Sequence, residues 1–281
     1  MKKEDIKALG SEKPLAPGGK RKTISLLQVK ELSKALKVSG RVIEIQALSQ
    51  GTVPERYERN IDSIGIEGQI RLLQSKVAII GLGGLGGWIA EILARAGVGF
   101  IRLVDGDSFM ESNLNRQLGS LPVSLGKNKA LEIKKRLKRV NPSLQIEAVP
   151  AYLTKENLEA TLSDLDLVID ALGDIPQRFI LWEGCLKFRK PLVHGAIGGF
   201  MGQAALFEPI PGALEAIYGK PDRAPERGVE AELGTPSPTP AFIGALEAAI
   251  AIQILIGKGE EYKNKLFFFD LEHGLFNKMN L

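Results

Sequence analysis

Cysteine occurs once in 281 residues, at Cys185. A single thiol excludes an internal disulfide framework and any zinc site built from several cysteines. The sequence also lacks an apolar run long enough to span a membrane, and its opening MKKEDIKALG carries no apolar signal segment. The two histidines, His194 and His273, fall in no Cys/His or Ser/His arrangement. These absences lead to the expectation of a soluble, cytoplasmic protein with no membrane partner and no zinc. Charge is nearly balanced, at a net +4. That suits the handling of anions without demanding nucleic acid. The excess gathers in Lys2, Lys3, Lys13, Lys20, Arg21 and Lys22, and in KNKALEIKKRLKR at 127–139. A solvated helix face is the simpler reading of the second run.

What is present is alternation. Residues 1 to about 22 are polar, with Pro and Gly, and are expected to be poorly ordered. Leu26, Val29, Leu32 and Leu36 predict a short helix over 24–37, whereas 39–54 fits a helix or a strand. Residues 1–50 therefore read as an appendage to a main domain over 51–281. From Lys76 the pattern is strand, helix, strand, helix: KVAII, a helix ending at Gly97, FIRLVD, a helix from about 127 to 140, LQIEAV, LDLVIDA, PQRFILWEGCLKF and PLVHGA. The fold class this implies is α/β, a Rossmann-like doubly wound, mostly parallel sheet. GQAALFE and the closing LFFFDLEHGLFNKM alternate as antiparallel C-terminal strands that continue it. Between them lie a proline-rich loop over 209–240 and a mostly apolar helix, AFIGALEAAIAIQILIG.

GLGGLG, after KVAII, satisfies G-x-G-x-x-G at Gly81, Gly83 and Gly86, a turn that cradles phosphate at a helix N-terminus. Asp105 ends the second strand, where a ribose-binding acid belongs. This much suits a dehydrogenase or an ATP enzyme equally. The next stretch, DGDSFMESNLNRQ, is more specific, because it packs Asp105, Asp107, Asn113, Asn115, Arg116 and Gln117 behind a strand end. An arginine there suits a triphosphate, and Lys129 could add a second positive charge.

Together these residues resemble the ubiquitin-activating-enzyme-like family, in its bacterial MoeB/ThiF/HesA branch. RYERNIDSIGIEGQIRLLQSKVAIIG, VNPSLQIEAV, KPLVHGAIGGFMGQAALFEP and FFFDLEHGLFNKM extend the likeness over about 55–281. The resemblance implies an adenylyltransferase that uses ATP and Mg2+. Its substrate would be a ubiquitin-like sulfur carrier of MoaD/ThiS type, activated at its C-terminal Gly-Gly. A sulfur donor would then convert the acyl-adenylate to a thiocarboxylate, in molybdopterin or thiamine biosynthesis. By the same resemblance, Gly84 approaches the nucleotide and Asp105 binds ribose. Ser112, Asn113 and Arg116 contact the nucleotide, and Lys129 contacts phosphate. Arg59, in RYERN, reaches the triphosphate from the other subunit of a homodimer. The loop at 209–240 would cover the carrier's tail.

Two departures stand out. The branch's magnesium-binding Asp falls, without a gap, at Gly173 of DALGDIPQR, so either Asp174, one step on, takes that role or Asp170 takes more of it; Asp174 is the favoured reading. The two C-x-x-C pairs of many relatives are missing, which makes this a zinc-cysteine-free variant. Zinc-free branches include the tRNA threonylcarbamoyladenosine dehydratases, an alternative that would bring in nucleic acid. A non-catalytic nucleotide-binding relative is the third reading. Cys185, inside an apolar helical pattern, reads as structural rather than as a nucleophile.

Overall fold

The computed structural model describes residues 11–15, 19–225 and 228–281. The expectation of poor order over residues 1–22 falls outside them for 1–10 and 16–18. The described part of that stretch is a hairpin, β1 (Ser11–Leu15) against β2 (Gly19–Ile24). Two helices follow, α1 (Leu26–Leu36) and α2 (Gly40–Ser49), then a two-residue strand β3 (Val53–Pro54) parallel to β2. The undecided stretch 39–54 thus holds both a helix and a strand. Ile24, Val29, Leu32, Ile43 and Ala47 form a small core of their own. Glu44, fully buried, ties this unit to the rest by accepting from Ser143 Oγ at 2.7 Å and from the Tyr57 hydroxyl at 3.2 Å.

Helix α3 (Glu58–Gln74) leads into the main sheet and is broken in its middle at Gly65, whose φ is +73°. The alternation then runs β4 (Lys76–Ile80), α4 (Gly84–Ala96), β5 (Phe100–Val104), α5 (Lys129–Val140), β6 (Gln145–Val149), α6 (Leu158–Leu162), β7 (Leu167–Asp170), α7 (Ile175–Phe188) and β8 (Leu192–Gly198). Strands β9 (Met201–Phe207), β10 (Lys265–Asp270) and β11 (Leu275–Asn280) continue the sheet antiparallel, in the order β11-β10-β9-β8-β7-β4-β5-β6. The chain leaves β4 on one side for β5 and β6, then crosses to the other side for β7 and β8. That switch point opens a crevice at the carboxyl ends of β4, β5 and β7.

Period-two alternation divides the core. Val77 and Ile79 join the layer of α3, α4 and α5, while Ala78 and Ile80 join the layer of α6 and α7 with Trp182 and Leu192. Both faces are covered, which is why β4 is apolar from Val77 to Ile80.

The segment after β9 is less loop-like than its composition predicts. It carries two short helices, α8 (Glu215–Tyr218) and α9 (Glu230–Leu233), and it buries Leu214 completely. The apolar helix α10 (Pro238–Leu255) begins inside the expected loop, with prolines in its first turn where no intrahelical N–H is lost. At 18 residues α10 is long and apolar enough to cross a membrane, contrary to the sequence expectation. Its buried residues Ile243, Ala248, Ile250 and Ala251 instead belong to the main core, against α4 and β8.

The glycine loop sets how closely α4 approaches β4. A Cβ on Gly86 would run into the Gly81 carbonyl oxygen, whereas one on Gly173 would meet nothing within 4 Å. Gly86→Ala should lower the unfolding free energy by about 1–3 kcal/mol through overpacking. Gly173→Ala should leave it unchanged or raise it by up to about 1 kcal/mol. Urea unfolding of both variants against the parent checks the contrast.

Candidate functional site

A cleft of about 510 Å³ lies at the switch point. Its floor is the turn from β4 into α4. Gly81 takes φ +89°, which a side chain would strain, and packs under the Ala171 carbonyl. Gly83 is the N-cap of α4, and Gly84 is its first residue. Orphan N–H groups of the first turn therefore face the cleft, a site for phosphate.

Asp105, just past β5, fastens the turn. Its Oδ2 accepts from the Leu82 N–H at 2.7 Å and its Oδ1 from the Asp107 N–H at 2.8 Å. Burial raises its pKa against the opposing pull of Lys129. Each oxygen keeps a lone pair for a ligand hydroxyl. Lys129 is buried at the first position of α5, where its charge opposes the helix dipole. It is held by Asp107 Oδ2 at 3.0 Å. Asp107 also accepts from the Tyr152 hydroxyl. Partial burial works against the Asp107 charge, but Tyr152 and Lys129 outweigh it and hold the carboxyl below its ordinary value. Arg116 is steadied by the Ser112 carbonyl at 3.0 Å and by Asn115 Oδ1 at 2.8 Å, and its side chain lines the cleft.

Of the residues expected from sequence, the cleft wall gathers Gly81, Gly83, Gly84, Asp105, Asp107, Arg116, Lys129 and Asp174. Asp174 caps α7, its Oδ1 accepting from the Gln177 N–H at 2.9 Å. Gly86, Ser112, Asn113 and Arg59 are not on the wall. Gly86 serves the strand–helix contact described above. Asn113 is buried, with Oδ1 accepting from the Met110 N–H, and Ser112 offers its carbonyl to Arg116. Arg59 lies on the first turn of α3, exposed to solvent.

Gln117, part of the polar run that the sequence places behind β5, also lines the cleft, as do Tyr152 and Arg178, which sequence reasoning does not single out. Gln117 carries a signal, since it ends the NLNRQ run, and its buried Oε1 has no partner among the described residues. Arg178 carries none, because its surroundings come from distant strands. It donates to the Gly195 carbonyl at 2.9 Å, to the Leu172 carbonyl, to Asp170 Oδ2 at 3.3 Å and to the Tyr218 hydroxyl at 3.1 Å. Complete burial disfavours the Asp170 charge, yet Arg178 and His194 beside it keep the carboxyl below its usual value. Burial, and then Arg178, push the His194 pKa down, so the ring is neutral at neutral pH. With Nδ1–H donating to Asp170 at 2.7 Å, Nε2 is left to accept from the Tyr218 hydroxyl at 3.2 Å. Asp170 is therefore fully committed inside the protein, while Asp174 faces the cleft. Burial also raises the Cys185 thiol, away from nucleophilic thiolate.

A second cavity, of about 430 Å³, adjoins the first. Gly173, Arg178, Ile197 and Glu230 line both. Its other walls are mostly apolar, from β8, β9 and the segment carrying α8 and α9.

Glu247 of α10 lies beside this cluster, fully buried, and neither carboxyl oxygen has a hydrogen-bond partner among the described residues. Burial, then Asp170, raise its pKa well above 4.5. A raised folded value means that its contribution to stability is full below about pH 4.5 and is lost as pH climbs to the folded value. Glu247→Gln cannot ionise. It should match the parent at pH 4 and exceed it increasingly as pH rises from there to the folded value, by up to about 1.4 kcal/mol per pH unit within that window. Urea midpoints across the pH range read this out; a constant difference would refute it.

The ThiF family profile matches residues 57–281. The "Sulfur carrier protein adenylyltransferase" of Thermus thermophilus is 36% identical, over 81% of this chain and 87% of its own. The "Molybdopterin-synthase adenylyltransferase" of Escherichia coli K12 is 35% identical, over 80% of this chain and 92% of its own. Among solved structures, the E. coli tRNA N6-threonylcarbamoyladenosine dehydratase in complex with ATP superposes with a TM-score of 0.62. It is 24% identical and covers 74% of this chain and 96% of that one, a likeness of fold alone. A match from residue 57 to the last residue, with the glycine turn, Asp105, Arg116 and Lys129 gathered on one cleft, identifies the chain as a member of the ThiF family.

Proposed function

We propose that this chain adenylates the C-terminal glycine carboxylate of a small ubiquitin-like sulfur carrier, with ATP bound in the 510 Å³ cleft. The observation that carries the reading is the convergence of Arg116 and Lys129 with the α4 N-terminus and Asp105 around one crevice. Asp105 takes the ribose hydroxyls, and the Gly83–Gly84 backbone takes phosphate. A carrier carboxylate oxygen attacks the α-phosphorus, the bond to the bridging oxygen breaks, and pyrophosphate leaves. The protein supplies no covalent group to this step. It holds two anions in line and neutralises the charge spread over the phosphate oxygens. Lys129 exchanges Asp107 for a phosphate, and the Tyr152 hydroxyl continues to satisfy Asp107.

Magnesium fits the donor set. Asp174 uses one oxygen as a helix cap and has the other for a cation, and Mg2+ is ordinarily held by one or two carboxylates together with substrate phosphates. Among the described residues no three acidic, His or Cys side chains form a metal site by themselves. When bound, the ion would screen the β- and γ-phosphate charge.

The adjoining 430 Å³ cavity is the berth for the carrier's extended tail, opening onto the cleft at Gly173 and Arg178. Glycine residues suit such a channel because the backbone approaches its walls closely. The protein works as a homodimer in which Arg59, which does not line its own cleft, serves the partner's. A sulfur donor then displaces AMP to give the thiocarboxylate.

Calorimetry should give binding heat with Mg-ATP and none with NAD. ATP–pyrophosphate exchange should require a ubiquitin-like protein ending in Gly-Gly, and should fall about 100-fold in Arg116→Ala and in Lys129→Ala. Exchange that needs tRNA instead of the carrier would support the dehydratase reading. No exchange with any carrier would leave a binding protein.

A further inference from the structure

Residues before position 57 lie outside the family match, yet they grip the one turn that bears Arg59. Arg21, in the second strand of the N-terminal hairpin, donates from one guanidinium nitrogen to the Glu58 carbonyl at 3.1 Å. From the other it donates to Asp62 Oδ1 at 2.6 Å. These acceptors lie one residue before Arg59 and three residues after it. The same turn is held from its other side. Arg56 donates to the Val140 carbonyl at 2.8 Å and to Asn141 Oδ1, and the Tyr57 hydroxyl donates to the buried Glu44. Parallel pairing of Thr23 with Val53 and Ile24 with Pro54 draws the hairpin alongside. Arg56, Tyr57, Glu58 and Asp62 are all restrained, and Arg59 between them has no hydrogen bond or ion pair among the described residues. An unpaired arginine on a turn fixed by its neighbours is free to project outward.

The geometry points to Arg21 as a positioning residue that orders the Arg59 turn, so that the N-terminal unit presents Arg59 to a second copy of the chain. The inference rests on the reading that Arg59 completes the partner's nucleotide cleft. Arg21 is suited to the task because its planar fork reaches a carbonyl and a carboxylate at once, in a fixed geometry that an ammonium does not impose. The side chain is also 15% exposed, so water competes little for its donors.

Mixed dimers provide the test, read as the number of high-affinity Mg-ATP sites by calorimetry. An Arg59→Ala chain keeps its own cleft but supplies no arginine, and an Arg116→Ala chain does the reverse. After subunit exchange, random pairing leaves about one intact composite site for every four chains. Adding Arg21→Ala to the Arg116→Ala chain, the donor of Arg59, should remove those sites or weaken them about tenfold. Adding it to the Arg59→Ala chain should leave them unchanged, which also establishes that the altered chain folds and pairs. Asp62→Ala should behave in the same lopsided way. Equal loss from either chain, or loss from neither, overturns the role of Arg21 while leaving Arg59 in place. If the parent mixture recovers no tight site, the trans reading of Arg59 falls and this inference falls with it.

Discussion

A guanidinium shut away from water must find acceptors, and much of the site consists of the acceptors that the two terminal nitrogens of Arg178 have found. It takes the Leu172 carbonyl just past β7, the Gly195 carbonyl in β8, the Asp170 carboxylate and the Tyr218 hydroxyl. Those groups come from two strand ends and from the segment that follows β9. Removing the charge would leave Asp170 buried and uncompensated, a cost of several kcal/mol by the usual behaviour of such pairs. The arrangement is thus better described as fixing one geometry than as adding stability. Arg178 also lines both cavities, so the wall they share is built around a buried polar cluster, in which Arg178 Nε and the two Glu247 carboxyl oxygens have no partner among the described residues.

That rigidity explains how two neighbouring aspartates divide their work. Asp170 ends β7 and points into the cluster, where Arg178 and His194 share its Oδ2 and the Leu172 N–H donates to its Oδ1. Asp174 lies one loop later, with one oxygen capping α7 and the other open to the cleft. Gly173 stands between them with no atom within 4 Å of a notional Cβ, so a displaced acid has room to approach. The shift by one residue seen in the sequence is therefore sterically comfortable.

Legibility from sequence follows the range of the interactions. KVAII, the glycine turn and FIRLVD are readable because strand, turn and helix follow one another closely along the chain, and their periods of two and 3.6 are clean. Helix α3 is not legible in the same way. Its charged first half and its break at Gly65 blur the apolar stripe, and what fixes it is long-range: Arg21, Glu44 and Asn141. The start of α10 is hidden in PSPTP, which reads as loop even though prolines are tolerated in a first helical turn. In the site, Asp105, Arg116 and Lys129 are legible because they follow the strand end that positions them. Arg178, His194, Tyr218 and Glu247 are not, since nothing in the residues between them says that α7, β8, α8 and α10 bring them together.

The same distinction bears on the N-terminal unit. Its first 22 residues are polar and basic, which at the level of sequence suggests poor order ahead of a short helix. Its contacts are of another kind. Glu44 is a carboxyl buried without a cation in hydrogen-bond contact, and burial raises its pKa while Ser143 and Tyr57 supply its donors. A group in that state is costly to bury and would be readily lost from an incidental contact. Gly40 allows the α2 backbone to lie directly on Ser143, where a Cβ would sit 2.7 Å from the hydroxyl oxygen. A buried carboxyl met by specific donors, beside a close backbone approach, describes a fitted joint between α2, α3 and the turn after α5. These contacts, with those of Arg21, fasten the N-terminal unit to the first turn of α3 and to the turn after α5.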